Sequence, residues 1–350
     1  MLTAKRNNME KKYRLGLVVR CDDSGLGSLS QDFYKYLEPD KVMSIYGRYS
    51  NHPERFPNSI ICNQGLPSLQ DIKNFIQDID VLITFETPYN WNLISEAKKN
   101  GVKTIIVPNY EWTVEYPPVE PDLWLCPSTL DYDILKEDGK TNIEYLPIPI
   151  DRTKIPFKLR TTANTFVFNN GHGGSVGRNS AREMLEAIAR VSNRMVNPPK
   201  FIFRSQVQLD AVTRLPNVRL DFGETPKEKL FEDGDVFVFP HKFDGLSLPI
   251  QEAMAAGMPI ITTDFAPFNE MLPKELLFKY DEKVKAKLDE DTREIDMHLI
   301  YPGDIADKIK EIAGKDITEL SKKMNELAET QSWFIFKNKY VELLNKICEK

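Results

Sequence analysis

Short runs of β-branched and aromatic residues alternate with stretches of helical periodicity along nearly the whole chain. In the first half, "RLGLVVRC" (14–21) reads as a strand, "DDSGLGS" (22–28) as a glycine-bearing turn and "LSQDFYKYL" (29–37) as a helix. "SIICNQG", "VLITFE", "KTIIVPN", "LWLCPS" and "NIEYLPIPI" continue the strands. "SLQDIKNFIQDI", capped by Ser68, "NWNLISEAKKNG", closed by Gly101, and "TLDYDILKED" supply the helices between them. Continuous apolar strands separated by helices predict a parallel sheet buried on both faces.

The segment 151–165, "DRTKIPFKLRTTANT", is polar and aperiodic and reads as an interdomain linker. The alternation then resumes. "FVFNN", "KFIFRS", "NVRLDFG", "VFVFP" and "PIITTD" are strands. "NSAREMLEAIARVSN", "VQLDAVTRL" (207–215) and "PKEKLFED" (226–233) are helices. Residues 279–295 are dense in charge and read as a solvated surface excursion. A strand and helix follow in "MHLIYPGDIADKIKEIAG", then one or two helices to the end.

The expected fold class is therefore α/β, with two tandem Rossmann-like doubly wound domains and a cleft between them. Residues 1–150 form the first domain and 151–330 the second, and 331–350 form a helix that packs back on the first. Such sheets bind ligands at the carboxyl ends of their strands.

Composition narrows the class. The chain has 350 residues, 41% hydrophobic and 28% charged, a globular balance. Its net charge of −6 argues against a stable grip on nucleic acid. The four cysteines are scattered without metal-like spacing, as expected of reduced core thiols. The four histidines show no HxH or HExxH spacing, so no metal site is expected. The N-terminus lacks the apolar region of a secretory signal, and no stretch is long enough to span a bilayer. A cytoplasmic location is the expectation.

The most informative stretch is "FDGLSLPIQEAMAAGMPII" (243–261). Pro249 suits a first helical turn, and Gly257 with Pro259 marks the stop. The start of such a helix presents free N–H groups and partial positive charge to an anion such as phosphate. Asp244 precedes that start and Glu252 lies about one turn in. The natural partners of two acids flanking a phosphate site are hydroxyls, as in a sugar–diphosphate–ribose ligand. Acid pairs at this separation also arise by chance, so the pair alone leaves an ordinary core helix open.

This stretch resembles the signature of GT-B glycosyltransferases of the large retaining class (family 4-like, glycosyl transferases group 1). "NVRLDFGETPKEKLFEDGDVFVFP", "YPGDIADKIKEI", "QSWFIFKNKYVELL" and "PDLWLCPSTLDYDIL" resemble further segments of that class in the same order. The resemblance implies a nucleotide-diphosphate sugar, UDP- or GDP-linked, as donor, with no cofactor or metal required. It implies that Asp244 bonds the donor sugar and Glu252 the ribose. The backbone of Gly245, Leu246, Ser247 and Leu248 would approach the diphosphate, and Gly25 and Gly27 would close over the donor.

The chain departs from the pattern in carrying Asp at 244 for the usual Glu and Ser247 for a glycine. The usual Arg and Lys of the second domain fall near His172 and Arg178, with Arg204 a further candidate cation. For a catalytic group in the first domain, Glu111 is taken, with Tyr110 and Glu86 as rivals. The acceptor, a glycan, lipid-linked glycan, small molecule or modified nucleobase, stays open. So do two rival activities: a non-catalytic GT-B-like partner protein and a nucleotide-sugar epimerase of the same fold.

Overall fold

The computed structural model describes residues 9–209 and 215–349. The chain divides into two compact units, one running to Pro149 and resuming at Trp333, the other Ile150–Ser332.

In chain order the first unit contains β1 (Leu15–Arg20), α1 (Gly25–Leu37), β2 (Lys41–Ile45), β3 (Ile60–Cys62), α2 (Leu69–Ile76), β4 (Val81–Phe85), α3 (Asn92–Lys99), β5 (Lys103–Val107), β6 (Leu123–Cys126), α4 (Thr129–Glu137) and β7 (Ile143–Tyr145). The sheet order is β3-β2-β1-β4-β5-β6-β7, all parallel. Chain direction across the sheet reverses between β1 and β4, the switch point of a doubly wound sheet. Both faces are covered, so β4, "VLITF", is buried at all five positions.

Local signals set the helix starts. Ser68 and Asp71 form a reciprocal capping box on α2. Ser24 caps α1 by accepting from Gly27 N–H, which starts that helix earlier than the sequence suggests. Gly25 and Gly27 are therefore helical residues in the first turn of α1, not parts of a loop.

The second unit contains β8 (Thr165–Asn170), α5 (Ala181–Arg194), β9 (Lys200–Ser205), β10 (Val218–Phe222), β11 (Val236–Phe239), α6 (Leu248–Ala255), β12 (Ile260–Thr263), α7 (Phe268–Met271), β13 (Leu277–Phe278), β14 (Glu282–Ala286), β15 (Ile295–Leu299), α8 (Pro302–Ile312) and α9 (Thr318–Thr330). Six strands form a parallel sheet in the order β10-β9-β8-β11-β12-β13, with its switch point between β8 and β11. The last helix, α10 (Trp333–Cys348), belongs to the first unit. There Trp333 and Tyr340 pack edge-on against Phe33, at 5.1 and 5.4 Å between ring centres. No helix among the described residues is long and apolar enough to cross a membrane.

Three sequence expectations gain detail in the structure, and one of them, the helix over 226–233, needs correction. The segment 151–165, read as the interdomain linker, is packed into the second unit. Ile155, Arg160 and Ala163 are buried, Lys158 N–H donates to Ala256 O, and Arg160 N–H donates to Ser321 Oγ. Its polarity hides three anchoring residues. The helix expected over 226–233 is a single 3₁₀ turn, Lys227–Lys229. Phe231 is drawn into the core there, and its carbonyl accepts from Arg160 Nη2 at 2.7 Å. The charged excursion 279–295 is mostly exposed, as expected, and contributes to the antiparallel hairpin β14–β15, anchored by buried Ile295. The helix expected over 207–215 lies largely outside the described residues.

Candidate functional site

Strand β11 runs through the core, and the chain emerges from its carboxyl end at Pro240. The turn that follows ends at Ser247, the residue preceding α6. Pro249 sits in the first turn of this helix, as its missing N–H permits. The side chain of Ser247 caps nothing. Its hydroxyl is buried and has no hydrogen-bond partner among the described residues. The start of α6 thus offers an anion the Leu248 N–H and the helix's partial positive charge, while Pro249 has no N–H and those of Ile250 and Gln251 donate to Ser247 O.

Two candidate residues from the sequence meet beside this start. Arg178 Nη1 lies 3.8 Å from Asp244 Oδ1. Asp244 is almost fully buried, and its Oδ1 also accepts from Leu246 N–H at 3.2 Å, which folds the turn back on itself. Arg178 precedes α5 and its guanidinium is partly open to solvent. The glycine-rich stretch before it explains how the guanidinium fits. A Cβ on Gly173 would collide with the Arg178 side chain, and one on Gly174 with the Asn170 amide. His172 opens this 3₁₀ stretch and is half-buried.

Glu252 is held on α6 by an ion pair with Lys227 Nζ at 2.6 Å. Arg204, at the end of β9, is buried and heavily engaged. Its Nη1 donates to Asn169 Oδ1 and to Leu230 O, and Asp221 and Asp233 lie 3.5 and 3.6 Å from its other nitrogens. Burial lowers its pKa from the ordinary guanidinium value.

The turn is braced from below by residues that motif reading missed. His241 is fully buried among Phe239, Phe265 and Phe268, at 5.0, 5.0 and 4.8 Å between ring centres. Its Nδ1–H donates to Phe239 O at 2.9 Å, and its carbonyl accepts from Thr263 Oγ1. Burial pushes this imidazole down to about 4, so it is neutral at neutral pH. Lys242 pairs with Glu183 in the first turn of α5 at 2.8 Å. Nothing local in the sequence marks His241 or Lys242 as supports, because their partners are distant in the chain.

In the first unit, Glu111 lies in a 3₁₀ turn after β5 and is fully buried. The neighbouring Tyr110 N–H donates to Asp131 Oδ1 at 2.8 Å. Glu86, after β4, has a left-handed backbone (φ 59°) and accepts from Asn109 Nδ2 at 3.4 Å. Gly27 makes a close approach, since a Cβ there would collide with the backbone oxygen of Asp22.

Two doubly wound parallel units in one chain define the GT-B class of fold. Residues 174–312, within the second unit, match the family described as "Glycosyl transferases group 1". No curated protein matches the chain. Among solved structures, HepE from Anabaena in complex with UDP and glucose is similar over 95% of this chain and 100% of its own, at 9% identity and a TM-score of 0.66. Sucrose-phosphate synthase from Thermosynechococcus elongatus is similar over 96% and 99%, at 12% identity and a TM-score of 0.65. The apo form of the lipopolysaccharide outer core galactosyltransferase WaaB is similar over 95% and 99%, at 11% identity and a TM-score of 0.59.

Proposed function

We propose that the protein is a retaining glycosyltransferase that moves a sugar from a nucleoside-diphosphate sugar, UDP- or GDP-linked, to an acceptor hydroxyl. The observation that carries this reading is the pairing of Arg178 with buried Asp244 at the open start of α6, with Glu252 further along the same helix. The family match over 174–312 supports it, as does the likeness in fold to HepE, whose structures hold UDP with glucose and UDP-glucose.

On this reading the α6 start, with the backbone of Gly245, Leu246, Ser247 and Leu248, receives the diphosphate. Asp244 takes a sugar hydroxyl and Glu252 takes the ribose. The anomeric C–O bond to the diphosphate breaks, and a new one forms to the acceptor oxygen on the same face. The acceptor proton passes to an oxygen of the departing phosphate. Arg178 and the helix start stabilise the charge that develops there, so the positive charge needs no resident metal. Gly25, Gly27 and Glu111 are proposed to serve from the first unit, and His172 and Arg204 as donor-side contacts. A cytoplasmic location belongs to the same proposal.

The test is a panel of UDP- and GDP-sugars read by thermal shift and by donor hydrolysis. Stabilisation and slow hydrolysis by one donor class support the reading, and the absence of both across the panel sinks it.

A further inference from the structure

The backbone of Lys242 is a junction between two peptide units. Its N–H donates to Arg178 O at 2.8 Å. Its carbonyl accepts twice from one residue, from His298 N–H at 2.8 Å and from His298 Nδ1–H at 2.9 Å. Both lone pairs of that oxygen are thereby used. A carbonyl only accepts, so the proton of the imidazole sits on Nδ1. Asp244 follows two residues later, and Arg178 O is bound by the N–H on the other side of the Lys242 Cα.

His298 belongs to β15, in a hairpin outside the six-stranded sheet. Its ring is buried, stacked on Phe265 at 4.1 Å with 6° between planes, and met edge-on by Tyr280 at 4.5 Å. Such a ring has one place to stand. Burial also lowers its affinity for a second proton. The hairpin therefore reaches the candidate site through the Lys242 carbonyl.

We infer that His298 is a positioning residue that holds Arg178 and Asp244 in register through the Lys242 backbone. This rests on reading the site as a nucleotide-sugar donor site. His298 itself touches neither charged group. Its effect is to fix the backbone from which both are set out, and a displacement of about 1 Å at such a distance from the chemistry can cost on the order of a hundredfold in rate.

Two substitutions separate this from a packing role. His298→Phe keeps the stack on Phe265 and removes the ring donor. His298→Asn keeps a donor near the Nδ1 position and removes the stack. Each is compared with wild type for Tm and for kcat and KM in hydrolysis of the sugar nucleotide that stabilises wild type most. We expect His298→Phe to lose about ten- to a hundredfold in kcat at little change in KM or Tm. We expect His298→Asn to recover most of that kcat even with a lower Tm. The inference is overturned if the Phe variant turns over normally, if the Asn variant is as slow as the Phe variant, or if kcat merely follows Tm. Should the Phe variant fail to fold, the Asn variant decides alone: near-normal kcat per folded molecule supports the inference, and a large loss overturns it. If wild type binds no nucleoside diphosphate, the donor-site reading falls first and this inference falls with it.

Discussion

Arg178 Nη1 stands 3.8 Å from Asp244 Oδ1, and the carboxylate is almost wholly withdrawn from water while the guanidinium is partly open. The asymmetry matters. On the proposed reading, an incoming diphosphate would meet the open cation without unburying the acid, which would stay fixed to meet the sugar. Asp244→Asn should therefore lower turnover by about ten- to a hundredfold, the size of a lost hydrogen bond to a charged group, while nucleoside diphosphate alone binds nearly as before. Calorimetry with the diphosphate, beside steady-state hydrolysis of the sugar nucleotide, measures both. Equal losses in the two would remove Asp244 from the sugar end. Asp244→Glu adds one methylene in a buried space and tests whether the shorter acid sets the donor.

Glu252 is oriented by Lys227 at 2.6 Å. With that acid on the ribose, Glu252→Gln should weaken binding of a nucleoside diphosphate by roughly tenfold. The loss should nearly vanish with a 2′,3′-dideoxy analogue, because the hydroxyls it serves are gone. A loss of the same size with both ligands would show that Glu252 acts on something other than ribose.

Two glycines should respond differently to a methyl group. At Gly173 the obstruction is the far end of the flexible Arg178 side chain, so Gly173→Ala should fold and lose turnover. At Gly27 the obstruction is the backbone oxygen of Asp22, which cannot step aside. Gly27→Ala should cost on the order of 1–3 kcal/mol of stability, read as a lower Tm or denaturant midpoint. A stable Gly27→Ala protein would contradict the close approach.

The buried neutral His241 fixes a pH dependence. Its folded value is pushed down to about 4 from an ordinary 6.5, chiefly by burial. Between those values the unfolded chain binds the proton and the folded chain does not. Stability is therefore intact above about 6.5, falls as pH drops towards 4 and then levels off, with a cost of at most roughly 3 kcal/mol from this group. His298, lowered in the same direction by burial, adds to the same trend. His241→Phe should flatten the decline over that window in urea titrations. An unchanged slope would assign the decline to other groups.

How much of this was legible in the sequence depends on the range of the interaction. The strand–turn–helix around Asp244 was readable, because Pro249, Gly257 and Pro259 punctuate it locally, and α6 falls within one residue of its expected end. Arg178 was reached through the resemblance, as the cation near the usual Lys position. Gly25 and Gly27 misled the reading of α1. A capping serine three residues before Gly27 was a local signal, but the two glycines looked more like a loop. Arg160 was hidden because its buried environment comes from Phe231 and Ser321, far away in the chain. His241, Lys242 and His298 were invisible for the same reason. Supports of a site are chosen by three-dimensional neighbours, whereas ligand contacts at a helix start are written in consecutive residues.

The central claim is that the start of α6, with Arg178 and Asp244, holds a nucleoside-diphosphate sugar. Its most direct measurement is binding of UDP-glucose and GDP-glucose, each beside its free nucleoside diphosphate, to wild type and Arg178→Gln by calorimetry. Saturable binding of one nucleotide class to wild type, weakened about tenfold or more by Arg178→Gln, is the expected result. Binding of neither class, or equal binding to both proteins, would contradict it.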